Sequence, residues 1–475
     1  MRPVGGLVLP IYKADRGSAK LGSAITSSLE TIFAPSSAAG RAAVAVIRLS
    51  GPACASVCQR LTGRPPPPAR RAALRRLRDP ENLEIFDHGL VLWFPGPASF
   101  TGEDVLELQV HGSRAVLAGL LDGLASLPGL RPAEPGEFSK RAFLNGRLDL
   151  TAAEGLADLI AAETRAQARQ ALRQLDGALG RLYDDWRQRL LEALARLEAA
   201  IDFSPEEADV PPDLLAVVRP GIERLAAEIA AHLADRRRGE RLRDGLTIAV
   251  LGPPNAGKST LVNRLAQRDV AIVTPEPGTT RDVLEVHLDL GGYPVTVLDT
   301  AGLRQPVDAI EAEGVRRAQE RAANADLRLL LFDGALWPDF DLATLTLAGD
   351  EALCVVNKAD LASLPAMLRI GEHPALSLSC LAGEGFDHLL EALGAAAAER
   401  LSPEGGPAPT RSRHRAALRA ALEALERFRQ VPAGAELALL AEDLRLAARA
   451  LGRLTGRVGV DDILDLIFAE FCIGK

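Results

Sequence analysis

Nine residues near the middle of the chain, Gly252-Pro253-Pro254-Asn255-Ala256-Gly257-Lys258-Ser259-Thr260, have the types and spacing to hold a phosphate chain. They fit G-x-x-x-x-G-K-[ST], whose glycines let backbone N–H groups turn inward around phosphate oxygens while a helix N-terminus adds positive potential. In that arrangement Lys258 pairs with the β- and γ-phosphates and the Ser259 hydroxyl ligates Mg²⁺. Asn255, Ala256, Gly257 and Thr260 complete the phosphate side. A chance glycine loop is the competing reading. The flanks argue against it: Leu246 to Leu251 is an apolar run long enough for a buried strand, and Thr260 to Ala266 opens as a helix.

Three further stretches narrow the nucleotide to GTP. Asp299-Thr300-Ala301-Gly302 follows the run Val295 to Leu298, placing the Asp to hold Mg²⁺ through water and the Gly302 N–H to meet the γ-phosphate. Asn357-Lys358-Ala359-Asp360 follows Leu353 to Val356. The Asp360 carboxylate can accept from guanine N1 and N2; adenine lacks both donors and would leave it unpaired. Gly278-Thr279-Thr280-Arg281-Asp282 lies between phosphate loop and Asp299, where a mobile switch would close on Mg²⁺ through Thr280. Ser379-Cys380-Leu381 is a weaker match to a base-side loop. Leu303, directly after Gly302, cannot orient an attacking water as the glutamine of familiar small GTPases does, so a carboxylate from elsewhere is needed, with Asp308, Glu311 and Glu313 nearby.

These residues need elements to position them, and 475 residues are enough for about three domains. The formal charge of −8 gives no global basic field for nucleic acid, so RNA contact must come from local patches. Five scattered cysteines fit a reducing, cytoplasmic setting, and no apolar run reaches the roughly 18 residues of a membrane span. Residues 1–29 read as a disordered extension, with an early start codon or a cleaved transit peptide as alternatives. Thr31 to Ala34, Ala43 to Leu49, Gly89 to Phe94 and Asp104 to Val110 read as strands, with a helix from Pro52 to Leu61; this predicts a compact α+β domain over 30–150. The arginines at 70, 71, 75, 76 and 78 form a charge run read as a solvated face, with RNA contact the minority reading. Helical periodicity takes over from Thr151, resumes at Leu182 to Ile201 and Ile222 to Leu233, and returns from Arg411. The pattern predicts a multidomain α/β protein: a helical domain in two pieces, 151–243 and 403–475, with a Ras-like P-loop GTPase domain inserted at 244–402.

The stretches flanking the GTPase motifs resemble the MnmE (TrmE) family of tRNA-modification GTPases. They are Ala45-Val46-Ile47-Arg48-Leu49-Ser50-Gly51, Ser99-Phe100-Thr101-Gly102-Glu103-Asp104-Val105-Leu106-Glu107-Leu108, the run Gly136 to Leu150, and the terminal Phe471-Cys472-Ile473-Gly474-Lys475. The resemblance covers Thr31 to Lys475. It implies a homodimer whose N-terminal domains dimerise and bind 5,10-methylenetetrahydrofolate, for which 5-formyltetrahydrofolate is an analogue. It implies a flavoprotein partner, MnmG (GidA), bringing FAD and NADH in a heterotetramer, and tRNA as substrate. Together such proteins install an aminomethyl or carboxymethylaminomethyl group at C5 of the wobble uridine. By motif position the folate contacts are Arg48, Glu107, Arg147 and Lys475, and the K⁺ positions are Asn255, Thr274, Glu276 and Thr279. Pro275, Pro277 and Gly278 join the GTP-binding set, and Glu311 matches the family's catalytic glutamate. The loop Ala38 to Ala43 is poorer in glycine than is usual there, and Arg147 stands where lysine also occurs.

Single residues carry open alternatives. Arg48 sits in an apolar strand, where an unpaired charge is costly; its partner is either a ligand or an internal carboxylate such as Glu107. Cys472 is either inert packing or a nucleophile that adds to C6 of uracil, with Lys475 favouring the thiolate if it lies close. Asp149 and His111 read as structural, and Cys54 and Cys58, four apart, as packing. At the level of function the alternative is a ribosome-assembly or translation GTPase that switches without modification chemistry, which would need neither the folate-type motifs nor the Cys-x-Gly-Lys end. A metabolic P-loop kinase is a poorer reading because of Asp360.

Overall fold

The computed structural model describes residues 30–38, 40–202, 214–272, 285–299, 324–340, 342–347, 352–402, 406–431, 436–459, 464, 467–469, 471–472 and 474. The chain divides into two compact units: one runs to Arg147 and takes in the C-terminal residues from Cys472, the other runs from Leu148 to Phe471.

The first unit is built on a six-stranded sheet. Its strands are β1 (Thr31–Pro35), β2 (Ala42–Ser50), β3 (Ala73–Arg78), β4 (Ile85–Phe94), β5 (Val105–Gly112) and β6 (Leu130–Pro132), in the order β3-β4-β5-β2-β1-β6. Alternation decides its faces. Ala45, Ile47 and Leu49 of β2 and Leu106, Leu108 and Val110 of β5 point into one core, with Cys54 and Cys58 of helix α1 (Cys54–Thr62) packed there. The intervening Arg48 and Glu107 therefore face the other side, where Ile32, Ala34 and Phe138 form a second apolar cluster with Phe100. Helices α2 (Arg114–Ala125) and α3 (Glu137–Leu144) complete the unit. Within the arginine run, Arg70, Arg71 and Arg76 are exposed, and Arg75, Arg76 and Arg78 lie in the edge strand β3, where charged side chains discourage further pairing on that edge. His111 pairs through Nδ1 with Asp87 at 2.8 Å, a structural role.

In the second unit, α4 (Leu150–Ala161) opens with Asp149 as its N-cap, the side chain accepting from Ala152 N–H at 2.8 Å. After α5 (Arg165–Leu175) come α6 (Ala178–Asp202) and α7 (Leu214–Leu233). Helix α7 starts eight residues before the predicted Ile222, with Pro220 inside it, an interior proline that masks a helix in sequence. The short helix α8 (Arg238–Asp244) then leads into a seven-stranded sheet. Its strands are β7 (Leu246–Leu251), β8 (Glu285–Leu290), β9 (Tyr293–Asp299), β10 (Leu327–Asp333), β11 (Ala352–Asn357), β12 (Arg369–Ile370) and β13 (His373–Ser377), ordered β12-β13-β11-β10-β7-β9-β8. Strands β9, β7, β10, β11 and β13 are mutually parallel, and the central β7, β10 and β11 are apolar along most of their length, as strands covered on both faces are. Helices α9 (Lys258–Ala266) and α10 (Phe386–Leu401) pack on this sheet. The chain then returns to α11 (Ser412–Gln430) and α12 (Leu437–Thr455), which share one core with α6 and α7.

Where the chain enters and leaves the sheet, the two passes touch. A Cβ on Gly239 would meet the Pro409 carbonyl oxygen at 2.3 Å. Asp158 of α4 holds both passes, binding Arg243 at 3.0 Å and Arg411 at 2.8 Å. Beside it, fully buried Glu154 accepts from Arg413 at 2.5 and 2.6 Å and from His414 Nε2 at 2.9 Å. His414 Nδ1 accepts the Thr410 N–H, so the ring is the neutral Nε2–H tautomer, and burial likewise lowers its pKa. The paired charges hold the Glu154 carboxyl well below the usual carboxylate range.

Candidate functional site

The phosphate loop connects the buried strand β7 to α9, and its glycines are required by contact as well as by angle. Gly252 has φ 153° and a Cβ there would meet the Leu331 carbonyl oxygen at 2.2 Å; Gly257 has φ 96° and a Cβ would lie 2.3 Å from Asn357 Nδ2. Asn255 takes a left-handed φ of 66° and its side chain is exposed on the loop. Gly257 caps α9 without a side-chain hydrogen bond, and the positive end of the helix dipole there favours an anion. Lys258 Nζ donates to the carbonyls of Gly252 at 2.8 Å and Pro253 at 2.9 Å, so the ammonium lies over the loop. Ala256 is buried; the side chains of Ser259 and Thr260 are exposed at the first turn. Asp299 ends β9, buried, in register with Val250 at the end of β7. Hydroxyl and carboxylate oxygens there suit a hard cation such as Mg²⁺.

The base side is tied to the phosphate side by one amide. Asn357, 3% exposed at the end of β11, donates from Nδ2 to the Ala256 carbonyl at 2.8 Å. Its Oδ1 accepts from Cys380 N–H at 2.9 Å. Lys358, at φ 63°, pairs with Asp333 at 2.5 Å. Ala359 N–H donates to the Leu378 carbonyl, and Asp360 and Leu381 are exposed. Ser379 is buried, its hydroxyl accepting from Ala382 N–H at 3.0 Å. Burial pushes the Cys380 thiol up to about 11, so it stays protonated. Asp333 was not singled out in the sequence; the signal available was an acid closing the apolar strand β10. Thr274, Pro275, Glu276, Pro277, Gly278, Thr279, Thr280, Thr300, Ala301, Gly302 and Glu311 lie outside the described residues, as does Lys475.

In the first unit Arg48 and Glu107 are cross-strand partners, with Arg48 Nε donating to Glu107 Oε1 at 2.9 Å. The guanidinium sits 5.7 Å from the Phe100 ring centre and 5.9 Å from that of Phe138, within cation–π range of both. The pair is half-buried, so it keeps an open side. Nearby, Arg141 binds Glu103 at 2.9 Å and the Ser50 carbonyl at 3.3 Å; both residues lie inside the quoted motifs and escaped notice because neither stands in an apolar strand. Arg147 is exposed, packed beside Gly102. The C-terminal residues return to this unit. The Gly474 carbonyl accepts from Ser36 Oγ at 2.9 Å, and the Cys472 carbonyl from Gly136 N–H at 3.5 Å, while Cys472 itself is exposed.

Comparison with known proteins follows the same division. Residues 31–147 match the model described as GTP-binding protein TrmE N-terminus, and residues 150–472 the one described as MnmE helical domain. The tRNA modification GTPase MnmE of Rhodospirillum rubrum is 57% identical over 460 residues, covering 94% of this chain and 100% of that protein. The same-named protein of Paramagnetospirillum magneticum is 57% identical over 446 residues, with the same coverage. Among solved structures, the FeoB G-domain from Methanococcus jannaschii aligns over 32% of this chain and 97% of that one at 25% identity, with a TM-score of 0.24. With family models covering both units and relatives this similar along most of its length, the chain belongs to the MnmE (TrmE) family.

Proposed function

We propose that this protein is a potassium-stimulated GTPase that works with the flavoprotein MnmG (GidA) on tRNA. The pair adds an aminomethyl or carboxymethylaminomethyl group at C5 of the wobble uridine, taking the one-carbon unit from 5,10-methylenetetrahydrofolate. The observation that carries the reading is the return of the C-terminal residues to the unit that bears Arg48 and Glu107, in a chain of this family whose other unit carries the guanine-nucleotide motifs.

Each group has a stated task. Lys258 exchanges two neutral carbonyl partners for charged phosphate oxygens, which bind an ammonium more strongly. Asp360 reads guanine. Ser259, Thr280 and Asp299 hold Mg²⁺, which when bound neutralises charge developing on the β- and γ-phosphates. Asn255, Thr274, Glu276 and Thr279 take K⁺, and Glu311 orients the attacking water in place of the glutamine that Leu303 replaces. Arg48, Glu107, Arg147 and Lys475 hold the folate, with the half-buried Arg48–Glu107 pair keeping an open side for it. Cys472 adds to C6 of uracil and makes C5 nucleophilic. The protein acts as a homodimer, forms a heterotetramer with MnmG, which brings FAD and NADH, and works in the cytoplasm. No described helix is long and apolar enough to cross a membrane.

The test is nucleoside analysis of tRNA from cells lacking the protein, joined to calorimetry of the purified Arg48→Ala variant. Loss of the C5-modified wobble uridine is expected, with 5-formyltetrahydrofolate binding weakened and GTP affinity unchanged. An unchanged nucleoside profile rejects the modification role, and undiminished folate binding returns Arg48 to an internal ion pair with Glu107.

A further inference from the structure

A cavity of about 600 Å³ lies where the nucleotide-binding segment joins the helical core. That size falls in the range of roughly 300–1,000 Å³ typical of small-molecule sites. One wall is apolar and aromatic, with Leu179, Leu182 and Trp186 of α6 beside His232 of α7. The facing wall is the junction itself, with Leu242 from the entering pass and Leu401 and Pro407 from the leaving one. Its charges do not cancel. Glu228 is taken up by Arg189 at 2.8 Å and by the Trp186 N–H at 3.0 Å, and Asp235 by Arg415. Arg169 and Arg173, one turn apart on α5, reach the same cavity and make no ion pair among the described residues. Burial lowers the His232 pKa to about 4, so its ring is neutral near pH 7.

We propose that this cavity binds a small amphipathic anion, an apolar ring body carrying one sulfonate, carboxylate or phosphate group, and that its occupancy alters GTP turnover. The body fills the space against Trp186, and the anionic group meets Arg169 and Arg173. At the base of the cavity Gln174 accepts from the Thr410 hydroxyl at 3.0 Å, and Thr410 N–H in turn donates to His414. An occupant therefore bears on the chain leaving the nucleotide-binding segment. A ligand that favours one arrangement of that junction shifts the nucleotide equilibrium, and the nucleotide shifts the ligand by the same factor. The turnover part rests on the GTPase reading; the binding part does not.

The probe is 8-anilinonaphthalene-1-sulfonate, titrated against the full-length protein carrying Trp93→Phe and Trp337→Phe, so that Trp186 alone sensitises its emission. Saturable sensitised emission is expected, weakened at least tenfold by the double variant Arg169→Glu/Arg173→Glu, whose sites are exposed and hold no partner to lose. Ala231→Phe, which fills the cavity from an exposed position on α7, weakens it similarly. GTP turnover at saturating probe should differ at least twofold from that without it in the parent and not in Ala231→Phe. Absence of saturable emission, or parental affinity in either variant, overturns the site. Intact binding with unchanged turnover overturns the coupling, and an absence of any GTP hydrolysis points instead to the GTPase reading.

Discussion

Asn357 donates its side-chain amide to the Ala256 carbonyl at 2.8 Å, so the residue that opens the proposed guanine-reading motif is also tied to the loop between β7 and α9. The same side chain accepts from Cys380, and Gly257 has no Cβ because Asn357 Nδ2 would stand 2.3 Å from it. Asn357→Ala leaves a buried carbonyl and a buried N–H without partners, at about 1–3 kcal/mol each. A lower melting temperature and at least a tenfold loss of GTP affinity are expected from thermal unfolding and fluorescent-nucleotide titration. If both match the parent, the amide does not join the two halves of the site.

Asp360→Asn removes an acceptor for guanine N1 and N2 and presents a donor to a donor. The expected loss in GTP affinity is at least ~2 kcal/mol, roughly thirtyfold. Xanthosine triphosphate, with a carbonyl where guanine has its amino group, should gain affinity in the same variant. Tight GTP binding by the variant would remove Asp360 from base recognition.

The parts of this molecule that were legible in its sequence are those encoded locally. The glycine spacing at 252 and 257 and the apolar runs of the parallel strands speak within a few residues of themselves. The α/β division and the helical core follow from periodicity alone. Strand β3 was hidden because its polar and apolar residues do not alternate with its faces, Leu74 standing exposed and Arg75 half-buried, and the start of α7 because Pro220 interrupts the pattern. Contacts between distant positions left no local trace. Asn357 and Ala256 are 101 positions apart, and Ser36 and Gly474 are 438 apart. The junction cavity joins α5, α6 and α7 to segments on either side of a whole nucleotide-binding fold, so no stretch of sequence announces it.

His232 gives the stability a pH dependence with a definite sign. Its ordinary pKa of 6.5 falls to about 4 in the folded protein, chiefly because burial penalises the charged ring. Between those values the unfolded chain binds the proton and the folded one does not, so stability rises with pH across that window and is fully present above it. The contribution is on the order of 3 kcal/mol. His414 and Glu154, both also lowered, act in the same direction. In His232→Gln, which can keep a hydrogen bond to the Tyr183 hydroxyl, the urea midpoint should fall less than in the parent between about pH 7 and pH 5. Equal slopes in the two proteins would show that His232 is not the group titrating.

Gly474 is needed where it stands. Its φ of 95° is left-handed, and a Cβ would lie 2.0 Å from the Pro35 carbonyl oxygen, a backbone atom that cannot swing aside. Gly474→Ala should free the C-terminal residues from Ser36, and carboxypeptidase should remove them faster than in the parent. GTP turnover should stay near parental while modified-nucleoside levels fall, as they should in Cys472→Ser, whose exposed thiol supports no packing. Full modification by Cys472→Ser excludes an essential thiol; parental digestion of Gly474→Ala excludes the clamp at Pro35.

Hydrolysis should require K⁺ and Glu311 together. Leu303 removes the water-orienting side chain from its usual position, and an apolar group cannot replace it. No arginine finger is evident in the sequence, so the charge that builds between the β- and γ-phosphates needs another cation. Asn255 offers a side-chain oxygen from an exposed, left-handed position within the phosphate loop. Thr274, Glu276 and Thr279 would complete a ring sized for K⁺, which the smaller Na⁺ fits poorly. Glu311 stands twelve residues after Asp299 in the sequence, and its carboxylate would orient the attacking water. Glu311→Ala should keep GTP affinity and lower turnover by roughly two orders of magnitude, the usual worth of a positioned base. Steady-state rates in KCl and NaCl at matched ionic strength, for the parent and for Glu311→Ala, check both statements. Equal parental rates in the two salts reject the cation, and an undiminished rate in the variant rejects the glutamate.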